Sequence, residues 1–102
     1  MPWFVKHEIF TAETAALPLE QRRHHLEAHR AWVEQEAKGG RRIRSGFLVD
    51  AQRLPGGGGL LIFEAASFTE ALEWVQQDPM IQVGLVSWTV QEWIPVSGDG
   101  WP

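Results

Sequence analysis

Apolar and polar positions alternate from the start of the chain. Trp3, Val5, His7 and Ile9 fall on one side of an extended segment and Phe4, Lys6, Glu8 and Phe10 on the other, so the period of two predicts a first strand over 3–10. Residues 11–17 are polar and rich in Ala and read as a connection. Pro18, whose fixed φ suits a first helical turn, and Glu20, favoured near a helix N-terminus, open a long helix that Gly39 and Gly40 stop near residue 38. Within it Leu19, Leu26, Val33 and Ala37 line one side at helical spacing, while Glu27, Arg30, Glu34 and Lys38 mark the other. That is the pattern of an amphipathic helix lying on a sheet.

Residues 43–50 read as a second strand with a break at Ser45 and Gly46, because glycine inside a strand often marks a bulge. Pro55 and four glycines make 52–59 a flexible hairpin connection, and a third strand over 60–66 is apolar on both faces. The glycine run lacks the strand, helix and lysine context of a phosphate loop. Ser67 and Glu70 form a capping box ahead of the stripe Phe68, Ala71, Leu72 and Val75, which predicts a second helix. Asp78-Pro79 ends it and can start a short turn over 80–84. A last strand over 85–96 carries Val86, Trp88, Val90, Glu92, Ile94 and Val96 on one face and Ser87, Thr89, Gln91 and Trp93 on the other.

The order is βαββαβ, an α+β, ferredoxin-like arrangement with two helices on one face of a four-stranded antiparallel sheet. Residues 1–96 form a single domain and 97–102 a flexible C-terminal tail. The first and third strands are apolar on both faces, so the side without helices needs a cover, and a second copy of the sheet supplies one. A chain of 102 residues buries roughly 60–70 % of its unfolded surface, so oligomerisation helps it.

Composition narrows the function classes. Nine basic and thirteen acidic residues give a formal charge of −4, with no basic stripe to neutralise a phosphate backbone, which argues against nucleic acid. Arg41, Arg42 and Arg44 follow the first helix, where cations complement its unpaired carbonyls. The absence of cysteine excludes disulfides, thiolate metal sites and a cysteine nucleophile, and it fits a reducing, cytoplasmic setting. No apolar run approaches the roughly 20 residues that span a bilayer, so no membrane partner is expected. Six Trp and five Phe with no Tyr suit pocket walls and interfaces.

Candidate chemistry centres on the first helix. At 100° per residue His29 lies at the edge of the Leu26–Val33 line, with Trp32 on its flank and Arg22 two turns away on the same line. There it can be a core histidine bonded to a carbonyl, or an acid-base group that keeps one ring nitrogen near a ligand. Asp78 can be only the N-cap for the turn at Pro79, or a carboxylate that accepts from an imidazole N–H and fixes its tautomer. His25 and His29, four residues apart, offer a metal-dependent alternative if His7, His24, Glu64 or Glu92 supplies a third ligand. No serine sits in the frame of a nucleophile elbow.

His29 followed eleven residues later by Gly40, the run 41–46 leading into the second strand, the helix 69–77, and Asp78-Pro79 followed by Gly84 together resemble the YciI-like (YCII-related) family of small dimeric ferredoxin-like proteins. The resemblance spans roughly Phe4 to Pro95. It implies a homodimeric α+β barrel and a pocket in which His29 and Asp78 form a catalytic pair, His25 lying out of register. Members of the family have been linked to dehydrochlorination of a chlorinated hydroxyquinol, and the related fold hosts muconolactone isomerases. Phe47 departs from the family, where the strand continues Gly-Pro. The expected function is a small enzyme without cofactor or metal, with His29 as general base or acid, Asp78 orienting it, and Trp32, Trp74, Trp88 and Arg22 contacting a small aromatic or lactone substrate in an elimination or isomerisation. The rival is a dimeric ligand-binding or interaction module in which the pair is structural.

Overall fold

A computed structural model describes residues 1–98, so most of the tail expected over 97–102 lies outside the described residues. Strand β1 (Trp3–Phe10) leads through the short helix α1 (Ala12–Ala15) into α2 (Leu19–Lys38). Strands β2 (Ile43–Val49) and β3 (Pro55–Glu64) form a hairpin, followed by α3 (Phe68–Val75), α4 (Pro79–Gln82) and β4 (Val86–Trp93). The sheet order is β2-β3-β1-β4 with every neighbouring pair antiparallel, which is the ferredoxin-like α+β topology the sequence predicts.

Several boundaries differ from expectation for local reasons. The connection after β1 contains α1, because Thr11 caps it by accepting from the Thr14 amide, and buried Thr14 donates to the Leu85 carbonyl at 2.7 Å. Strand β2 runs unbroken through Ser45 and Gly46, and the irregularity falls between Phe47 and Val49. The glycines at 56–59 belong to β3 rather than to a loop. Neighbouring side chains occupy the space they leave: at Gly57, φ +84°, an added Cβ would meet the Phe10 ring at 3.0 Å. Strand β4 ends at Trp93, ahead of Ile94 and Pro95, since proline cannot donate to a ladder.

Register sets which side chains the helices cover. Phe4 pairs with Phe63 on one side and Glu92 on the other, Lys6 with Leu61 and Val90, and Glu8 with Gly59 and Trp88. The core is Phe4, Leu61, Phe63, Ala65, Ala71, Trp74, Val75 and Val90. Fully burying an apolar side chain of this size contributes about 1.5–3 kcal/mol. Aromatic contacts run outward from the sheet: Phe4 against Phe63 at 5.9 Å, Phe63 against Trp74 at 4.5 Å, Trp74 against Trp32 at 4.8 Å.

Of the stripe predicted on α2 only Val33 packs against the core, together with Trp32, whereas Leu26 is 44 % and Leu19 61 % exposed, and Ala37 is exposed as well. The other sheet face carries Trp3, Val5, Ile9, Leu48, Leu60 and Ile62, and no element among the described residues covers it. Among the described residues no helix is long and apolar enough to cross a membrane.

Candidate active site

The site begins with a charged pair on the covered face of β1. Lys6 and Glu8 follow Phe4 on alternate positions and therefore point where it points, toward the helices. Lys6 is fully buried. A buried ammonium needs close anionic partners, and it has two: Asp78 Oδ2 at 2.6 Å and Glu8 Oε1 at 3.3 Å.

Asp78 arrives from the turn between α3 and α4. Its Oδ1 accepts from the Met80 amide at 2.9 Å, which makes it the N-cap of α4, with Pro79 as the first helical residue. The packing of α4 against α2 brings the other oxygen to the long helix. There Oδ2 lies 2.8 Å from Nδ1 of His29. Both roles open to Asp78 in the sequence are thus filled by one carboxyl group, one oxygen for each. Burial alone would raise its pKa, but the hydrogen bond from His29 and the positive charge of Lys6 outweigh burial, and the carboxyl is held below its ordinary value.

With Asp78 ionised, Nδ1 of His29 carries the proton and donates, which leaves the lone pair of the neutral ring on Nε2. Among the described residues Nε2 has no protein partner. The imidazole is 16 % exposed, enough to meet a ligand from one side while Trp32, at 6.3 Å between ring centroids, flanks it. This arrangement can take up or deliver one proton at a fixed point in space.

The remaining expected residues take different places. Trp74 is in the core, 4 % exposed, its indole N–H donating to Glu36 Oε1. Trp88 is half-buried and stands next to Glu8 across the strand pair. Arg22 is half-buried, and its Nε is enclosed without a partner among the described residues. His25 stacks edge-on against His24 at 5.7 Å, and among the described residues the grouping of three donors that a metal could use includes His29 without His25. It is Glu8, His29 and Asp78, each offering one donor atom within 4.8 Å of the others, and the Lys6 ammonium already supplies positive charge to both carboxylates there. The arginines after α2 correct the expectation of helix capping. Arg41 donates to the Glu64 carbonyl at 2.8 Å and stacks over Trp74, and Arg42 pairs with the Glu64 carboxylate at 3.0 Å. A shallow groove of about 320 Å³ beside them is lined by Glu36, Arg41, Arg42, Glu64 and Glu70 among others; His29 and Asp78 do not line it.

Sequence reasoning passed over Lys6 and Glu8. The only signal was two charges bracketed by Phe4 and Phe10 on one strand face, and alternation alone does not say which face the helices cover.

Comparison with known proteins adds a family and a fold. The model of the YCII-related domain matches residues 6–94. No curated protein matches the chain. Among solved structures, the 5-chloro-2-hydroxyhydroquinone dehydrochlorinase of Burkholderia phenoliruptrix, in complex with 2,5-dihydroxybenzoquinone, is similar with a TM-score of 0.67 at 24 % identity, over 90 % of this chain and 93 % of that one.

Proposed function

The chain belongs to the YCII-related domain family, and from that premise we propose that it is a small enzyme in which His29 exchanges a proton with a small organic substrate while Asp78 orients the ring. The observation that carries the reading is the 2.8 Å contact from Nδ1 of His29 to a fully buried carboxylate, with Nε2 left without a protein partner. In an elimination, Nε2 takes a proton from the substrate and the released electron pair expels a leaving anion from a neighbouring atom. The imidazolium so formed sits against Asp78, whose charge stabilises it. In an isomerisation the same nitrogen returns the proton at a second position. Both use only groups of this chain, and acid-base catalysis of this kind contributes about 10²–10⁴-fold.

The fold-level likeness to a dehydrochlorinase holding a dihydroxybenzoquinone supports a small ring compound as substrate. A homodimer, with two open sheet faces packed into a barrel, accounts for Val5, Ile9, Leu60 and Ile62 on a surface that no element among the described residues covers. The cysteine-free sequence supports a cytoplasmic setting. A non-catalytic module is the second reading, favoured by the Asp78 cap on α4 and its bond to Lys6, which give the carboxylate a structural role. The test is chloride release from 5-chloro-2-hydroxyhydroquinone and, separately, isomerisation of an enol lactone. Turnover of either that falls at least about 100-fold in His29→Asn supports the enzyme. Ligand binding that survives His29→Asn, with a lowered melting temperature and no turnover in the wild type, supports the module.

A further inference from the structure

Two buried side-chain atoms have no hydrogen-bond partner among the described residues: Glu8 Oε2 and Arg22 Nε. Leaving such atoms unpaired is costly, more so when the group is charged, so each calls for an explanation. Both flank His29. Glu8 lies beneath it on β1, in the same 4.8 Å grouping. Arg22 lies seven residues before it on α2, two turns and about 10 Å along the same side of the helix. One is an acceptor with nothing to accept from, and the other a donor with nothing to donate to. Lys6 already holds Glu8 Oε1 at 3.3 Å, which leaves Oε2 as the enclosed oxygen still without a partner among the described residues.

Phe47, Gly59, Glu8 and Trp88 form one row across the four strands, all on the covered face. The Glu8 side chain lies over Gly59, and at the outer end of the row Phe47 is 70 % exposed. The charges also balance: Lys6 and Arg22 against Glu8 and Asp78 leave no net charge for a ligand to offset.

We propose that Glu8 and Arg22 are a recognition pair for a neutral, hydroxylated ring compound, Glu8 accepting from a ring hydroxyl and Arg22 donating to another oxygen of the same molecule. The pair deepens the function proposed above and rests on it for the place of His29 between the two contacts.

The probes are 2-hydroxyhydroquinone, kept anaerobic, and its trimethyl ether, which accepts hydrogen bonds but cannot donate them. Calorimetry on the folded chain should find the phenol bound at least tenfold more tightly. In Glu8→Gln the new amide must keep its carbonyl oxygen toward Lys6, which only donates, and so presents NH₂ to the ligand. Affinity for the phenol then drops about ten- to hundredfold and the preference for it over the ether disappears or inverts. Arg22→Met weakens both probes by the same factor. Gly59→Ala, whose Cβ would meet Glu8 Cγ and Oε1 at 3.3 Å, keeps the carboxylate but displaces it, and lowers the same ratio without altering charge.

An unchanged ratio in Glu8→Gln, equal binding of phenol and ether by the wild type, or binding of neither overturns the proposal; unchanged binding in Arg22→Met removes the arginine from it. Selective binding through Glu8 with no turnover loss in His29→Asn would contradict the catalytic reading alone, and catalysis through His29 with a Glu8-independent ratio would contradict the recognition pair alone.

Discussion

Two ionic clusters are built on this sheet from the same kinds of residue, yet they carry different weight. Lys6, Glu8, Asp78 and His29 meet on the covered face, with Lys6 and Asp78 wholly removed from water. Arg42 and Glu64 meet at the far end of β3, where the arginine side chain is 64 % exposed, lying over Trp3 at 5.2 Å. Separations are similar, 2.6 to 3.3 Å in the first and 3.0 Å in the second. What differs is the medium. Water screens the second pair and offers either partner an alternative, whereas each member of the first depends on the others for its hydrogen bonds. The first arrangement costs desolvation and leaves Nε2 of His29 without a protein partner among the described residues, as the proposed acid-base role requires.

Lys6→Met should break the comparison most severely. It leaves two carboxylates side by side without their cation, which costs about 3–5 kcal/mol, so thermal unfolding should move down by more than about 10 °C in a chain of this length. A shift of one or two degrees would mean that water reaches the cluster.

Asp78→Asn sharpens the contrast through pH. The Asp78 pKa is lowered in the folded protein, so its contribution is fully present above the ordinary aspartate range and is lost as pH falls through the folded value. Denaturant titrations should therefore show a wild-type advantage that is flat above about pH 5 and narrows below about pH 4. An advantage that widened on acidification would contradict the assigned bonds.

Arg42→Ala should have the smallest effect, no more than about 1 kcal/mol and shrinking further in high salt. A loss as large as that of Lys6→Met would erase the distinction between the two clusters.

How much of this was legible in the sequence depends on what each residue answers to. The order of elements follows from local signals such as the Ser67–Glu70 box, in which Ser67 Oγ accepts from the Glu70 amide at 3.1 Å while the Glu70 carboxylate accepts from the Ala66 amide at 3.3 Å, and from Gly39 and Gly40 at the end of α2. His29 and Asp78 were legible as candidates because a helical wheel and a capping rule each act within a few residues. Their meeting was not, since it depends on how α4 packs against α2. Lys6 and Glu8 were hidden for a related reason. Register and layer order decide that the covered face of β1 is the more charged one, while Trp3, Val5 and Ile9 face the open side. The glycines at 56–59 misled because turn propensity describes an isolated chain; within the strand Gly57 and Gly59 stand against Phe10 and Glu8, where glycine fits without displacing a neighbour.

The most direct test of the central claim is a single comparison, wild type against His29→Asn, read as turnover of 5-chloro-2-hydroxyhydroquinone and of an enol lactone with melting temperature recorded alongside. The account predicts that the wild type turns over one of them and that the variant remains folded and loses at least about 100-fold of the rate. A folded variant that keeps the wild-type rate would contradict it.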